Sequence, residues 1–148
     1  MIRPLANNRD RERLLFLCRI VRKEVQHLED TVVRLFPVSH ALTADDVQNW
    51  IAVPELSERL DAFVARFSRL QDTVGDKLLP ALLQLLGDNV GPVIDNLNKA
   101  EKFGWIDSAE DWVLYRTLRN QMVHEYIEDI NVLTSALKAG QSYVPVLV

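Results

Sequence analysis

Apolar positions along the chain recur at threes and fours, the spacing that lays one stripe along an α-helix. From about Asn8 to Leu35 the stripe runs through Leu14, Leu15, Leu17, Cys18, Val21, Val25, Leu28, Val32 and Leu35, and Pro37 ends it. A connector from Pro37 to Pro54 carries a short helix. There, Thr43 followed by Asp46 has the form of a capping box ahead of Val47, Trp50 and Ile51. A second long helix starts at Pro54, where the missing N–H of proline has no partner to lose. Its stripe continues through Leu60, Phe63, Phe67, Leu70, Val74, Leu78 and Leu79. Pro80 predicts a kink, because it removes one backbone hydrogen bond and crowds the preceding turn. The pattern resumes through Leu82, Leu83, Leu85 and Leu86 and stops at the turn GDNVGP, residues 87–92.

A third helix is predicted from near Pro92 to Phe103, with Gly104 as its C-terminal cap. The fourth starts behind a capping box, either Asp107 with Glu110 or Ser108 with Asp111, and runs to about Lys138, ahead of Gly140. No stretch alternates with the two-residue period of a strand over a useful length. The expected fold is therefore all-α, an antiparallel bundle of four long helices with a short extra helix. It occupies one domain over residues 1–140, followed by an apolar tail, 141–148, that packs on the body or docks onto a partner.

Composition narrows the setting. A chain of 148 residues, 48% apolar, buries a core without staples. Cys18 is its single cysteine, which excludes an intrachain disulfide and a cysteine metal cluster. The polar start MIRPLANNRDRER lacks the apolar core of a signal peptide. The longest near-apolar run, Leu78 to Leu86, falls short of the roughly 20 residues that span a bilayer. These features predict a soluble, cytoplasmic protein with no membrane partner. The net charge of −4 argues against a broadly basic coat for nucleic acid. Residues 1–23 nonetheless set Arg3, Arg9, Arg11, Arg13, Arg19, Arg22 and Lys23 against Asp10 and Glu12. That run reads either as a solvated helix face or as a local phosphate-contacting surface.

Most catalytic constellations are missing. A di-metal carboxylate bundle needs two Glu-x-x-His pairs; Glu24 with His27 is one, and no second exists. There is no Gly-rich phosphate loop, no Cys–His nucleophile pair and no zinc-ligand spacing. No metal and no cofactor is expected.

The fourth helix is different. At about 100° per residue, Trp112, Val123, Ile127, Ile130 and Leu137 share one side, which should face the bundle or another subunit. Arg116, Arg119 and Asn120 fall in the same sector, with His124 at its edge and Tyr126 to one side of Arg119. A cation within an apolar stripe is costly unless it is paired or meets an anion or a wet cleft. The pattern leaves open an ion pair from Arg119 to Asp72 or Asp76 on the second helix, or an arginine whose stem packs while its head reaches water.

The segment Arg-Asn-x-x-x-His-x-Tyr, here Arg119, Asn120, His124 and Tyr126, resembles the signature of HEPN domains, the higher-eukaryote and prokaryote nucleotide-binding family. It is most similar to the HEPN toxins paired with minimal nucleotidyltransferase antitoxins. The motif covers eight residues, and the helical layout agrees with the family over most of the chain. The resemblance implies a homodimer whose motif helices face each other, so that two copies of Arg119 and His124 share one cleft. It further implies a metal-independent ribonuclease acting on an RNA substrate, with Asn120 orienting His124 or the phosphate. Tyr126 matches the tyrosine that the antitoxin modifies with AMP. Arg116 lies outside the signature but adds positive charge one turn before Asn120, and Asp72 is the candidate acidic partner from another helix. Two alternatives share these residues: a non-catalytic nucleotide- or substrate-binding subunit for the nucleotidyltransferase, and a purely structural dimerising bundle.

Overall fold

The computed structural model describes residues 8–37 and 39–124. Among these residues the fold is all-α, with no strand. The helices are α1 (Asn8–Leu35), α2 (Ala44–Ala52), α3 (Pro54–Asp72), α4 (Leu79–Leu85), α5 (Val93–Lys102) and α6 (Ala109–His124), with a π-helical turn, Thr73–Leu78, joining α3 to α4. The expected end of the last long helix near Lys138, and the apolar tail, lie outside the described residues.

Local chemistry sets most of the boundaries. Thr43 caps α2 through a complete capping box: its hydroxyl accepts the Asp46 N–H, and the Asp46 carboxylate accepts the Thr43 N–H. Pro54 opens α3. Gly87 and Gly104, at φ 75° and 78°, take the left-handed conformation that ends α4 and α5. The turn between those two helices is pinned by Asn96, which is buried and exchanges two 3.0 Å hydrogen bonds with the backbone of Gly91. Ser108, not Asp107, caps α6, because its hydroxyl accepts the Asp111 N–H at 3.1 Å. Glu101 takes the Ala109 N–H at 3.1 Å, setting a carboxylate against the positive end of the same helix.

The connection at Pro80 differs from the expected kink. Pro80 sits in the first turn of α4, where its missing N–H is tolerated, and the ladder is altered before it. Around Thr73–Leu78 each bond spans five residues instead of four; the Leu79 N–H, for example, reaches the Val74 carbonyl. The helical path from Pro54 to Leu85 thus stays continuous while changing its winding.

α1 lies against α3, the π turn and α4; α2 packs on α3, and α6 meets α3 and α5. Their shared core holds Leu28, Leu35, Leu60, Leu70, Leu83 and Leu97, with an aromatic group of Phe36, Trp50, Phe63 and Phe67. The Phe36 ring meets Trp50 and Phe63 edge-on, at centroid distances of 5.6 and 5.0 Å, the arrangement that ring quadrupoles prefer. Beside this core Arg66 crosses from α3 to α1, donating to the Thr31 hydroxyl and, at 2.8 Å, to the His27 carbonyl. The α1 stripe is buried at Leu17, Leu28 and Leu35, but Leu15, which falls on the opposite side of the helix, is half exposed. Among the described residues no helix is long and apolar enough to cross a membrane.

Candidate functional site

The described part of α6 is held against the π turn by Trp112. Its side chain is buried, and its indole lies so close to Gly75 that a Cβ there would meet Trp112 Nε1 at 3.1 Å. One helical turn later, Arg116 projects from the same side of α6 toward the next residue of the π turn. Its guanidinium lies 3.5 Å from the Asp76 carboxylate, with both side chains about one-third exposed. A pair that exposed contributes little to stability but fixes the direction of the arginine.

Asp76 borders an open groove of about 510 Å³ lined by Ala65, Ser68, Arg69, Asp72, Thr73, Asp76 and Lys77. All seven come from α3 and the π turn. The winding of that segment decides which of them share a face, and π turns inside α-helices occur frequently at functional sites. Glu24 of α1 closes the other side of Thr73, whose hydroxyl donates to its carboxylate at 3.0 Å. The second Glu24 oxygen is buried without a hydrogen-bond partner. Burial pushes the Glu24 carboxyl above the usual carboxylate range, against the lowering effects of the Thr73 hydrogen bond, Arg69 and Lys77. Gln71, 1% exposed, and the Ser68 hydroxyl are also buried without hydrogen-bond partners. Orphaned polar groups of this kind are uncommon in native interiors, and each carries a desolvation cost.

The positions marked in the sequence are distributed as follows. Arg116 and Asp72 converge on one region: Arg116 pairs with Asp76, and Asp72 lines the same groove. Of the two carboxylates offered to Arg119 by the pattern, Asp76 is therefore engaged by Arg116. Arg119, Asn120 and His124 are all carried by α6, within its last six described residues. Asn120 is exposed, although the helical sector placed it among the apolar positions. Val113, at the margin of that sector, is exposed too, at 41%. Tyr126 lies outside the described residues.

Three features of the site have no sequence signal at the level of residue spacing: the π turn, the Glu24–Thr73 bond and the orphaned Gln71. The nearest hint is the run TVGDKLLP, where a glycine and then a proline interrupt a helical stripe. Glu24 and His27, the lone Glu-x-x-His pair, point to different contacts: Glu24 takes the Thr73 hydroxyl, and the His27 carbonyl takes Arg66. Among the described residues no group of three or more His, Cys, Asp or Glu is placed to hold a metal ion.

No family model matches the chain, and no curated protein and no solved structure is significantly similar to it.

Proposed function

We propose that the chain is a HEPN-type helical bundle acting as a metal-independent endoribonuclease, the toxin of a pair whose antitoxin is a minimal nucleotidyltransferase. The observation that carries the reading is the motif Arg119-Asn120-x3-His124-x-Tyr126, whose first three members lie on one helix. RNA brings its own nucleophile. Attack of a 2′-hydroxyl on the adjacent phosphorus breaks the bond to the 5′-oxygen, leaving a 2′,3′-cyclic phosphate and a free 5′-hydroxyl. The protein has only to move protons and stabilise charge. Histidine is the side chain suited to carrying a proton at neutral pH, which gives His124 the proton transfer. Arg119 suits the equatorial oxygens of the phosphorane, and Asn120 orients one or the other.

The partner arrangement is a homodimer with the α6 helices facing each other, for which the exposed Val113 on α6 provides apolar surface. An AMP group on Tyr126, two residues beyond His124, would fill such a cleft with bulk and negative charge. A second reading is a non-catalytic subunit that binds a nucleotide or substrate for the nucleotidyltransferase. It is favoured by the engagement of Arg116 with Asp76, which spends one cation of the region on an internal contact.

The test is RNA cleavage by the unmodified, partner-free protein with a chelator present. Arg119→Ala and His124→Ala are each expected to abolish cleavage and growth arrest while leaving the dimer folded. A wild-type protein that neither cuts RNA nor slows growth removes the toxin reading and leaves the binding subunit.

A further inference from the structure

Six cations lie on the first four turns of α1, from Arg9 to Lys23, against two carboxylates, Asp10 and Glu12. All six are exposed, and no ion pair among the described residues takes up any of them. At about 100° per residue they divide unevenly around the helix. Arg9, Arg13, Arg19 and Lys23 fall within about 60° of Phe16. Glu12 is the one carboxylate of this stretch on that flank; Asp10 falls toward the packed side. Phe16 is 49% exposed, so its ring is open to a ligand. The Arg19 guanidinium lies over that ring, 5.9 Å from its centroid.

Positive charge is therefore concentrated along one side of α1, in a chain whose net charge is −4. Concentrating cations this way on an acidic protein makes a local attractor for a polyanion.

We infer that this flank of α1 binds single-stranded RNA, with Phe16 as a base-stacking platform and Arg9, Arg13, Arg19 and Lys23 on the phosphates. Single strands are held by this combination, a positive track plus an aromatic face open to unpaired bases. A guanidinium over the ring extends the stacking surface. An anionic membrane is the weaker match. Leu15 and Phe16 are the large apolar groups exposed on this stretch, and Leu17 and Leu28 on the other side are committed to the interior. A helix lying in a membrane surface needs a continuous apolar face. The inference rests on the ribonuclease reading only in taking RNA as the ligand.

The test uses the full chain carrying His124→Ala, so that bound RNA is not cut, and a labelled 12-nucleotide oligouridylate titrated at several salt concentrations. Arg19→Gln with Lys23→Gln is expected to weaken binding about tenfold and to flatten the log–log salt slope by about 1.4, at about 0.7 per lost phosphate contact on a single strand. Phe16→Ala is expected to weaken binding about tenfold with an unchanged slope. Far-UV circular dichroism checks that these exposed substitutions leave the helices intact. Equal affinity in all variants overturns the inference, as does tighter binding to phosphatidylserine vesicles than to RNA. With His124 restored, cleavage of long RNA and of a dinucleotide separates the two proposals. Binding that depends on α1 with no cleavage of either substrate removes the nuclease and keeps the face. Cleavage of long RNA unaffected by the α1 variants removes the face and keeps the nuclease.

Discussion

Replacing Gly75 by alanine tests whether the π turn and α6 are fitted to each other. The added Cβ would lie 3.1 Å from Trp112 Nε1 and 3.4 Å from Cζ2. The first distance is shorter than an ordinary contact, and the indole is 4% exposed, so it has little room to withdraw. Overpacking of this kind costs about 1–3 kcal/mol. Alanine in place of glycine within a helix returns about 0.5–1 kcal/mol through the unfolded state. The expected balance is a loss of about 0.5–2 kcal/mol, a fall in the urea midpoint of about 0.3–1 M at a slope near 2 kcal/mol per M. Equilibrium urea unfolding followed by far-UV circular dichroism measures it. The same substitution in a Trp112→Phe background removes the contacting atoms, and there Gly75→Ala should be neutral or stabilising. The difference between the two backgrounds is the coupling. If Gly75→Ala stabilises the wild-type protein by the full helix-propensity amount, the indole is not held in place and the packing argument fails.

Two further expectations concern titration. Burial raises the Glu24 carboxyl above the usual carboxylate value, so the folded chain holds that proton more tightly than the unfolded chain. Stability should therefore fall as pH rises from about 4.5 through the raised value, and Glu24→Gln should remove that part of the slope. Parallel stability–pH curves for wild type and variant would contradict it. Asp46 is the opposite case. Accepting the Thr43 backbone N–H, and then the hydrogen bond with His40 at 2.9 Å, holds its carboxyl below the usual range. Its contribution is present above the ordinary carboxylate value and is lost as pH falls through the lowered one. Asp46→Asn should thus differ from wild type at pH 5 and converge with it near pH 2, as read from urea midpoints.

The starts and stops of the helices were legible because each depends on a few neighbouring residues. Thr43 with Asp46, Pro54, the glycines at 87 and 104, and Ser108 with Asp111 act over one turn of chain. The all-α class followed from the same periodicity. What periodicity could not supply is anything set by the relative sliding of two helices. Whether Asp76 meets Arg116 or Arg119 depends on how far α6 lies along the π turn, which the whole intervening chain determines. The exposure of Asn120 has the same origin, since a stripe marks which side is apolar but not how far the neighbouring helix extends to cover it. The π turn was hidden for another reason: Pro80 pointed to the disturbed region, but a missing donor does not say which neighbouring bonds rearrange.

Counting rotation along the helical path from Pro54 shows what the π turn accomplishes. Were that path α-helical throughout, Leu79 and Leu83 would stand about 120° and 160° around the axis from Phe67, on a flank facing away from it. A turn that absorbs one additional residue brings them back to about 20° and 60°. All three are buried in one core. The segment Thr73–Leu78 therefore works as a phase corrector, joining two apolar stripes that are out of step in the linear code. Deleting one residue from it would turn it into ordinary α-helix and leave the side chains beyond it in phase, whereas straightening it with all its residues kept would turn each of them by about 100°.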